Sequence, residues 1–189
     1  MRKKIIAVIG DALISENSIK QYMAFETGKA IIDLGYRLQC GGLGGVMNAA
    51  CMGAHASKNY TEGDTIGILP SFDIGLANEY VDIAIPTGLD MFRNTIVANA
   101  SAVITVGGGA GTLCEVANAW TLKRLIIAYT NCEGTSQLCA GRRMDTRIRY
   151  PDISEDMVYP AKSIDQMIEL LVKYIDKYSS YHTGITPLN

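Results

Sequence analysis

Apolar residues recur along the chain in short continuous runs closed by glycine or proline, and these runs alternate with longer stretches of helical periodicity. The first run, Lys4 to Gly10, holds Ile5, Ile6, Ala7, Val8 and Ile9 and has the continuous character of a strand buried on both faces of a parallel sheet. Ser15 then precedes a stretch in which Ile19, Met23, Ala30, Ile31 and Leu34 follow a helical period, with Gly35 where a left-handed C-cap would stand. The same reading predicts strands over Tyr36 to Cys40, Thr65 to Leu69, Val81 to Ile85, Ala102 to Val106 and Leu125 to Tyr129, with Pro70 and Pro86 ending two of them. Helices are predicted over Val46 to His55, over Gly88 to Ala100 with Thr87 as cap and Asp90 three positions on, and over Thr112 to Lys123. From Thr130 to about Asp156 the periodicity stops. A short strand, Met157 to Ala161, follows, and then an amphipathic helix opened by a Ser163/Gln166 capping box and bearing Ile164, Ile168, Leu171, Ile175 and Tyr178.

Alternating strands and helices of one composition type predict an α/β fold, a single-domain doubly wound parallel sheet with helices on both faces. That domain is expected over 1–178, including a long Arg-rich loop at 130–156, with 179–189 as a C-terminal tail. Such sheets bind ligands at the carboxyl ends of their strands, near a switch in strand order. Attention therefore falls on the loops after Gly10, Cys40, Leu69, Ile85 and Val106.

Composition narrows the function. With 48% hydrophobic and 19% charged residues among 189, burial outweighs chain entropy and a folded domain is expected. A formal charge of −2 supplies no global field for a nucleic-acid backbone, so general nucleic-acid binding is disfavoured. Residues 1–4 are basic, but the apolar run Ile5 to Ile9 is too short for a signal-peptide core or a membrane span, and the expected location is the cytoplasm. Five cysteines without a C-x-x-C pair, and two histidines, point to reduced, buried thiols and to no metal site.

The chemistry concentrates in glycine-rich loops. Gly107, Gly108, Gly109, Ala110, Gly111 and Thr112 lie between a buried strand and a helix, where unpaired N–H groups and the positive helix end can converge on a phosphate. Thr112 can donate one further hydrogen bond. The run lacks the Lys-Ser/Thr of a Walker loop and comes too late in the chain for the dinucleotide fingerprint, which excludes both classes. Glu115, three residues after Thr112, should be held ionised near the positive helix end, where a carboxylate can meet ribose hydroxyls or stabilise positive charge on an anomeric carbon. Arg93, in an otherwise apolar stretch, can pair with Glu115, with phosphate or with both. Gly41, Gly42, Gly44 and Gly45 repeat the backbone logic of the later loop, and either ligand contact or close helix packing explains them. Arg142, Arg143, Arg147 and Arg149 around Asp145 can close over an anion or make intersubunit ion pairs, although a solvated charge run is the simpler explanation.

Four motifs in order carry a resemblance: Cys40-Gly-Gly-Leu-Gly-Gly-Val-Met47, Ile66-Gly-Ile-Leu-Pro70, Arg93-Asn94 and Val106-Gly-Gly-Gly-Ala-Gly-Thr-Leu-Cys-Glu115. Over about Ile5 to Tyr129 the chain resembles the Lonely-guy superfamily of Rossmann-like proteins, often labelled lysine decarboxylases, and within it the branch of molybdenum-cofactor carrier proteins. The resemblance implies a homodimer that binds an AMP-like nucleotide and needs no cofactor. In the hydrolytic branch it also implies cleavage of the N-glycosidic bond of a nucleoside 5′-monophosphate. Carried over, Arg93 and Glu115 are the catalytic pair and Gly108 to Thr112 the phosphate cradle; with the glycines of the strand-end loops, the candidate nucleotide- or phosphate-binding set is Gly10, Gly41, Gly42, Gly44, Gly45, Gly107, Gly108, Gly109, Gly111 and Thr112. A non-catalytic carrier of molybdenum cofactor, or a nucleotide sensor, would use the same cradle. The chain departs from the hydrolase pattern at Val106, in place of proline, and around Arg93, where Leu-Asp-Met-Phe-Arg-Asn replaces a His-containing motif. No Schiff-base lysine motif supports decarboxylation.

Overall fold

The computed structural model describes residues 2–179. Seven strands form one sheet: β1 (Ile5–Gly10), β2 (Arg37–Cys40), β3 (Thr65–Leu69), β4 (Ile83–Pro86), β5 (Ala102–Val106), β6 (Leu125–Tyr129) and β7 (Val158–Ala161). The helices are α1 (Ile19–Asp33), α2 (Val46–His55), α3 (Asn94–Ala98), α4 (Ala110–Thr121), α5 (Thr135–Cys139) and α6 (Ile164–Ser179). The strand order is β4-β3-β2-β1-β5-β6-β7, and every described pair is parallel. The chain builds outward from β1 to β4, returns, and builds outward again from β5, which sets the switch point between β1 and β5.

The continuous apolar runs are accounted for by burial on both faces. Ile6 and Val8 of β1 and Ile104 and Val106 of β5 pack on the side of α1, α2 and α6. Ala7, Ile9 and Val103 pack on the side of α3 and α4, against Val97, Val116 and Trp120. The two central strands approach so closely that a Cβ on Gly10 would lie 2.1 Å from the Val106 carbonyl oxygen.

Several predicted boundaries shift. The helix predicted over Gly88 to Ala100 is a 3-10 stretch, Asp90–Arg93, followed by the five-residue α3. Asp90 has φ of 49°, which breaks α-helical continuity. Thr87 caps no helix; its hydroxyl donates to the Leu69 carbonyl at 2.7 Å and ties the turn to β3. α1 begins at Ile19, four residues beyond Ser15, and Ser18 caps it by accepting the Gln21 N–H. β4 starts at Ile83, later than predicted, because the Asp82 carboxylate accepts the N–H groups of Gly63 and Thr65. The aperiodic segment contains α5, and Ser163 and Gln166 open α6 as expected, Ser163 accepting the Gln166 N–H and Gln166 the Lys162 N–H. Apart from Ser179 at the end of α6, the predicted tail lies outside the described residues.

Candidate functional site

The switch point carries a cleft of about 270 Å³ between the carboxyl ends of β1, β2 and β5, close to the lower edge of the roughly 300–1000 Å³ usual for small-ligand sites. Of the residues singled out by sequence, Gly10, Gly41, Arg93, Gly109, Gly111, Thr112 and Glu115 line it together. Gly42, Gly44, Gly45, Gly107 and Gly108 do not; most are set by protein neighbours, as at Gly42, where a Cβ would lie 2.6 Å from Leu69, and at Gly45, where it would lie 2.3 Å from the Asp11 carbonyl oxygen.

One wall of the cleft is the start of α4. Its first helical hydrogen bond runs from the Leu113 N–H to the Gly109 carbonyl at 2.9 Å, so the N–H groups of Ala110, Gly111 and Thr112 lie ahead of the ladder and are available to an anion. A Cβ on Gly109 or Gly111 would meet nothing within 4 Å. Thr112 behaves differently from expectation: its hydroxyl donates to the Gly10 carbonyl at 3.2 Å and fastens α4 to β1.

The glycine turn is clamped from behind by α5. The Thr135 and Ser136 N–H groups donate to the carbonyls of Gly108 and Gly107 at 2.8 and 2.9 Å, and the Thr135 hydroxyl donates to the Gly109 carbonyl at 2.8 Å. With its carbonyls engaged there, the loop is held in one geometry and the open N–H groups of α4 are preorganised.

Opposite the helix end lies a buried ion pair. Arg93 ends the 3-10 stretch and extends over Gly41, where a Cβ would lie 2.5 Å from Nη2, so glycine is what admits the guanidinium. Its Nη1 donates to Glu115 Oε1 at 3.2 Å, while its Nε is buried without a partner. Burial pushes the Glu115 carboxyl up to about 7 even though Arg93 pulls it down. The expectation that the helix end keeps Glu115 firmly ionised is therefore corrected: at 6% exposure desolvation is the larger effect.

Sequence reasoning missed Asp11, Lys20, Asn94 and the clamp made by α5. Asp11 and Asn94 also line the cleft. The position of Asp11 directly after Gly10 was a usable signal; the clamp was not, because Ser136 reaches the Thr105 carbonyl across 31 residues of sequence.

The Arg-rich loop does not approach the cleft through Arg149. That side chain, 6% exposed, donates to both oxygens of Asp156, at 2.9 and 2.5 Å, and to the carbonyls of Trp120 and Arg124 at 3.1 and 3.2 Å. Those carbonyls lie in the last turn of α4 and just ahead of β6, at the amino edge of the sheet. Its guanidinium stacks 3.6 Å from the centroid of the Trp120 ring. Arg147 pairs with Asp145 on the surface, so the loop divides into one buried anchor and a solvated pair.

Strand order, and a cleft at the point where it reverses, make this a Rossmann-like ligand-binding protein. The chain belongs to the SLOG cluster4 family, whose model matches residues 3–158, and the family and fold expected from the four motifs are met. Among solved structures it is similar to the molybdenum cofactor binding protein of Rippkaea orientalis, at 34% identity and a TM-score of 0.74 over 93% of this chain and 99% of that one. It is also similar to the molybdenum cofactor carrier protein of Chlamydomonas reinhardtii, at 30% identity and a TM-score of 0.70 over 93% and 99%. An uncharacterized protein of Archaeoglobus fulgidus is 38% identical over 120 residues, which cover 63% of this chain and 75% of the relative. No helix among the described residues is long and apolar enough to cross a membrane.

Proposed function

We propose that the cleft binds the phosphoribosyl part of a nucleoside 5′-monophosphate and that Glu115 and Arg93 cleave its N-glycosidic bond. The observation that carries this reading is the buried Arg93–Glu115 pair at 3.2 Å in the same cleft as the open end of α4. Phosphate would take the N–H groups of Ala110, Gly111 and Thr112, and the Arg93 guanidinium, which lines the same cleft, would donate to a phosphoribosyl oxygen. The bond from the anomeric carbon to the base breaks, its electron pair leaving with the base, which takes a proton from solvent. Ionised Glu115 stabilises the positive charge left on the sugar. Water then adds to that carbon, and Glu115 accepts its proton; a carboxyl near 7 suits a group that starts ionised and ends protonated. The products are free base and ribose 5-phosphate.

The test is incubation of the purified protein with AMP and other monophosphates, read by chromatography. Free base and ribose 5-phosphate should appear, and Glu115→Ala should reduce their formation at least a thousandfold, while circular dichroism stays unchanged. No base release from any monophosphate overturns the hydrolytic reading.

A second reading is favoured by the two molybdenum cofactor proteins that match 93% of the chain. In it the same helix end holds the phosphate of a pterin carried as cargo, without turnover. Tight retention of such a ligand, identified by mass spectrometry of the purified protein, together with no base release, selects this reading.

We further infer a homodimer through the β4 edge. Ile83 and Ile85 on that edge strand are exposed, as are Leu76, Leu89 and Met91 nearby, and Phe72 and Phe92 are 82% and 78% exposed. An apolar face of this kind on a sheet edge is a recognised sign of association.

A further inference from the structure

Asp11 follows β1 directly and lines the same cleft as the open end of α4. Its Oδ2 accepts the Gly108 N–H at 2.8 Å and a hydrogen bond from Lys20 Nζ at 2.7 Å. The fit over the turn is tight: a Cβ on Gly107 would lie 2.2 Å from that oxygen and 2.9 Å from Lys20 Nζ. Glycine at 107 thus makes room for a carboxylate and an ammonium of the protein itself.

This arrangement sets the far limit of the anion cradle. The Gly108 N–H, two residues ahead of Ala110 in the same turn, is taken by that carboxylate and so is not open to a ligand. A phosphate bound by Ala110, Gly111 and Thr112 would share its cleft with the Asp11 carboxylate, which accepts hydrogen bonds from hydroxyls but repels a second phosphate. Lys20 lines a neighbouring depression with Ser18 and Asn131 and acts on the cleft through that carboxylate, whose charge it offsets.

We propose that Asp11 is a specificity-determining residue that confines the cleft to ligands with one terminal phosphate and rejects diphosphates and dinucleotides. The inference rests on the reading of the cleft as a phosphate site and names the ligand class within it. It assigns opposite effects to the two partners: without the charge of Asp11, Lys20 is left as a net cation, and without Lys20 the carboxylate is left uncompensated. A purely structural role for the pair would weaken both kinds of ligand alike.

Calorimetric titration of the full chain with AMP and with ADP tests this, with Glu115→Gln present throughout so that on the hydrolytic reading neither nucleotide is cleaved. The Glu115→Gln parent should bind AMP at least about tenfold more tightly than ADP, a preference of the size that one like-charge contact near a protein surface produces. Asp11→Asn keeps an oxygen for the Gly108 N–H and should shrink that preference about tenfold, whereas Lys20→Met should enlarge it. Equal affinity for AMP and ADP in that parent, or an unchanged ratio when either substitution is added to it, overturns the inference and leaves the phosphate reading intact. If AMP, ADP, inorganic phosphate and pyrophosphate all fail to bind, the phosphate reading falls and the inference with it. Should Asp11→Asn lose its fold by circular dichroism, the ratio in Lys20→Met decides.

Discussion

At Glu115 two effects oppose each other: burial disfavours the carboxylate, and the Arg93 guanidinium at 3.2 Å favours it. Burial prevails and lifts the group from 4.5 to about 7. Between those values the folded protein binds a proton that the unfolded chain does not, so this contribution to stability is complete below about 4.5 and is lost as pH rises through 7. Its size is on the order of 3 kcal/mol. Glu115→Gln cannot ionise, so urea unfolding should show wild type losing that amount between pH 4.5 and pH 8 relative to the variant. An identical pH slope in the two proteins would contradict the argument. On the hydrolytic reading, kcat/KM of wild type should rise with pH and reach half its plateau near pH 7, because only the ionised carboxylate supports the positively charged sugar. The identity of Glu115 as the residue to watch was legible from its spacing in the glycine motif; its protonation was not, because desolvation depends on groups such as Arg93 that approach from another segment.

Among the elements, the 140–157 connection shows how a charge-rich, aperiodic segment becomes ordered. Arg149 joins Asp156, the Trp120 and Arg124 carbonyls and the face of the Trp120 ring, and the Tyr178 hydroxyl adds a bond to Asp156 at 2.6 Å. Loss of one partner strands a buried charge, which costs about 3–5 kcal/mol. Arg149→Met should therefore lower unfolding free energy by that amount, while ligand affinity of the folded protein stays unchanged, since the anchor lies at the opposite edge of the sheet from the cleft. A matching loss of ligand affinity would show that the two edges are coupled. Periodicity could not separate Arg149 from Arg142, Arg143 and Arg147, because all four lie in a charged stretch and burial distinguishes them only after the chain has folded. The strands were easier: runs such as Ile5–Gly10 and Leu125–Tyr129 are apolar throughout because helices cover both faces. The 3-10 stretch Asp90–Arg93 was read as helix because its apolar spacing is helical, and the left-handed Asp90 is a turn requirement that such spacing does not record.

For the whole molecule, the exposed apolar edge along β4 adjoins the 3-10 stretch that ends in Arg93. Association there would cover Phe72 and Phe92 and hold the segment carrying the guanidinium. Light scattering after size exclusion should give twice the 20.4 kDa chain mass for wild type, and the chain mass for the double variant Ile85→Lys with Phe92→Asp. A monomeric wild type at micromolar concentration would rule out this interface.

Local pattern determined the parallel α/β class, the order of elements, and the glycine turn with Glu115 one helical turn beyond it, because burial on two faces, capping and tight turns act over a few residues and leave their mark there. Strand order decided the rest. It brought Asp11 against Gly108 across 97 residues, set Arg93 on Glu115, put α5 behind the glycine loop and sent Arg149 to the far edge. Contacts between distant segments, and the charge states they impose, depend on which groups share a dehydrated space, and that is a property of the packed sheet, beyond the reach of any one stretch of the chain.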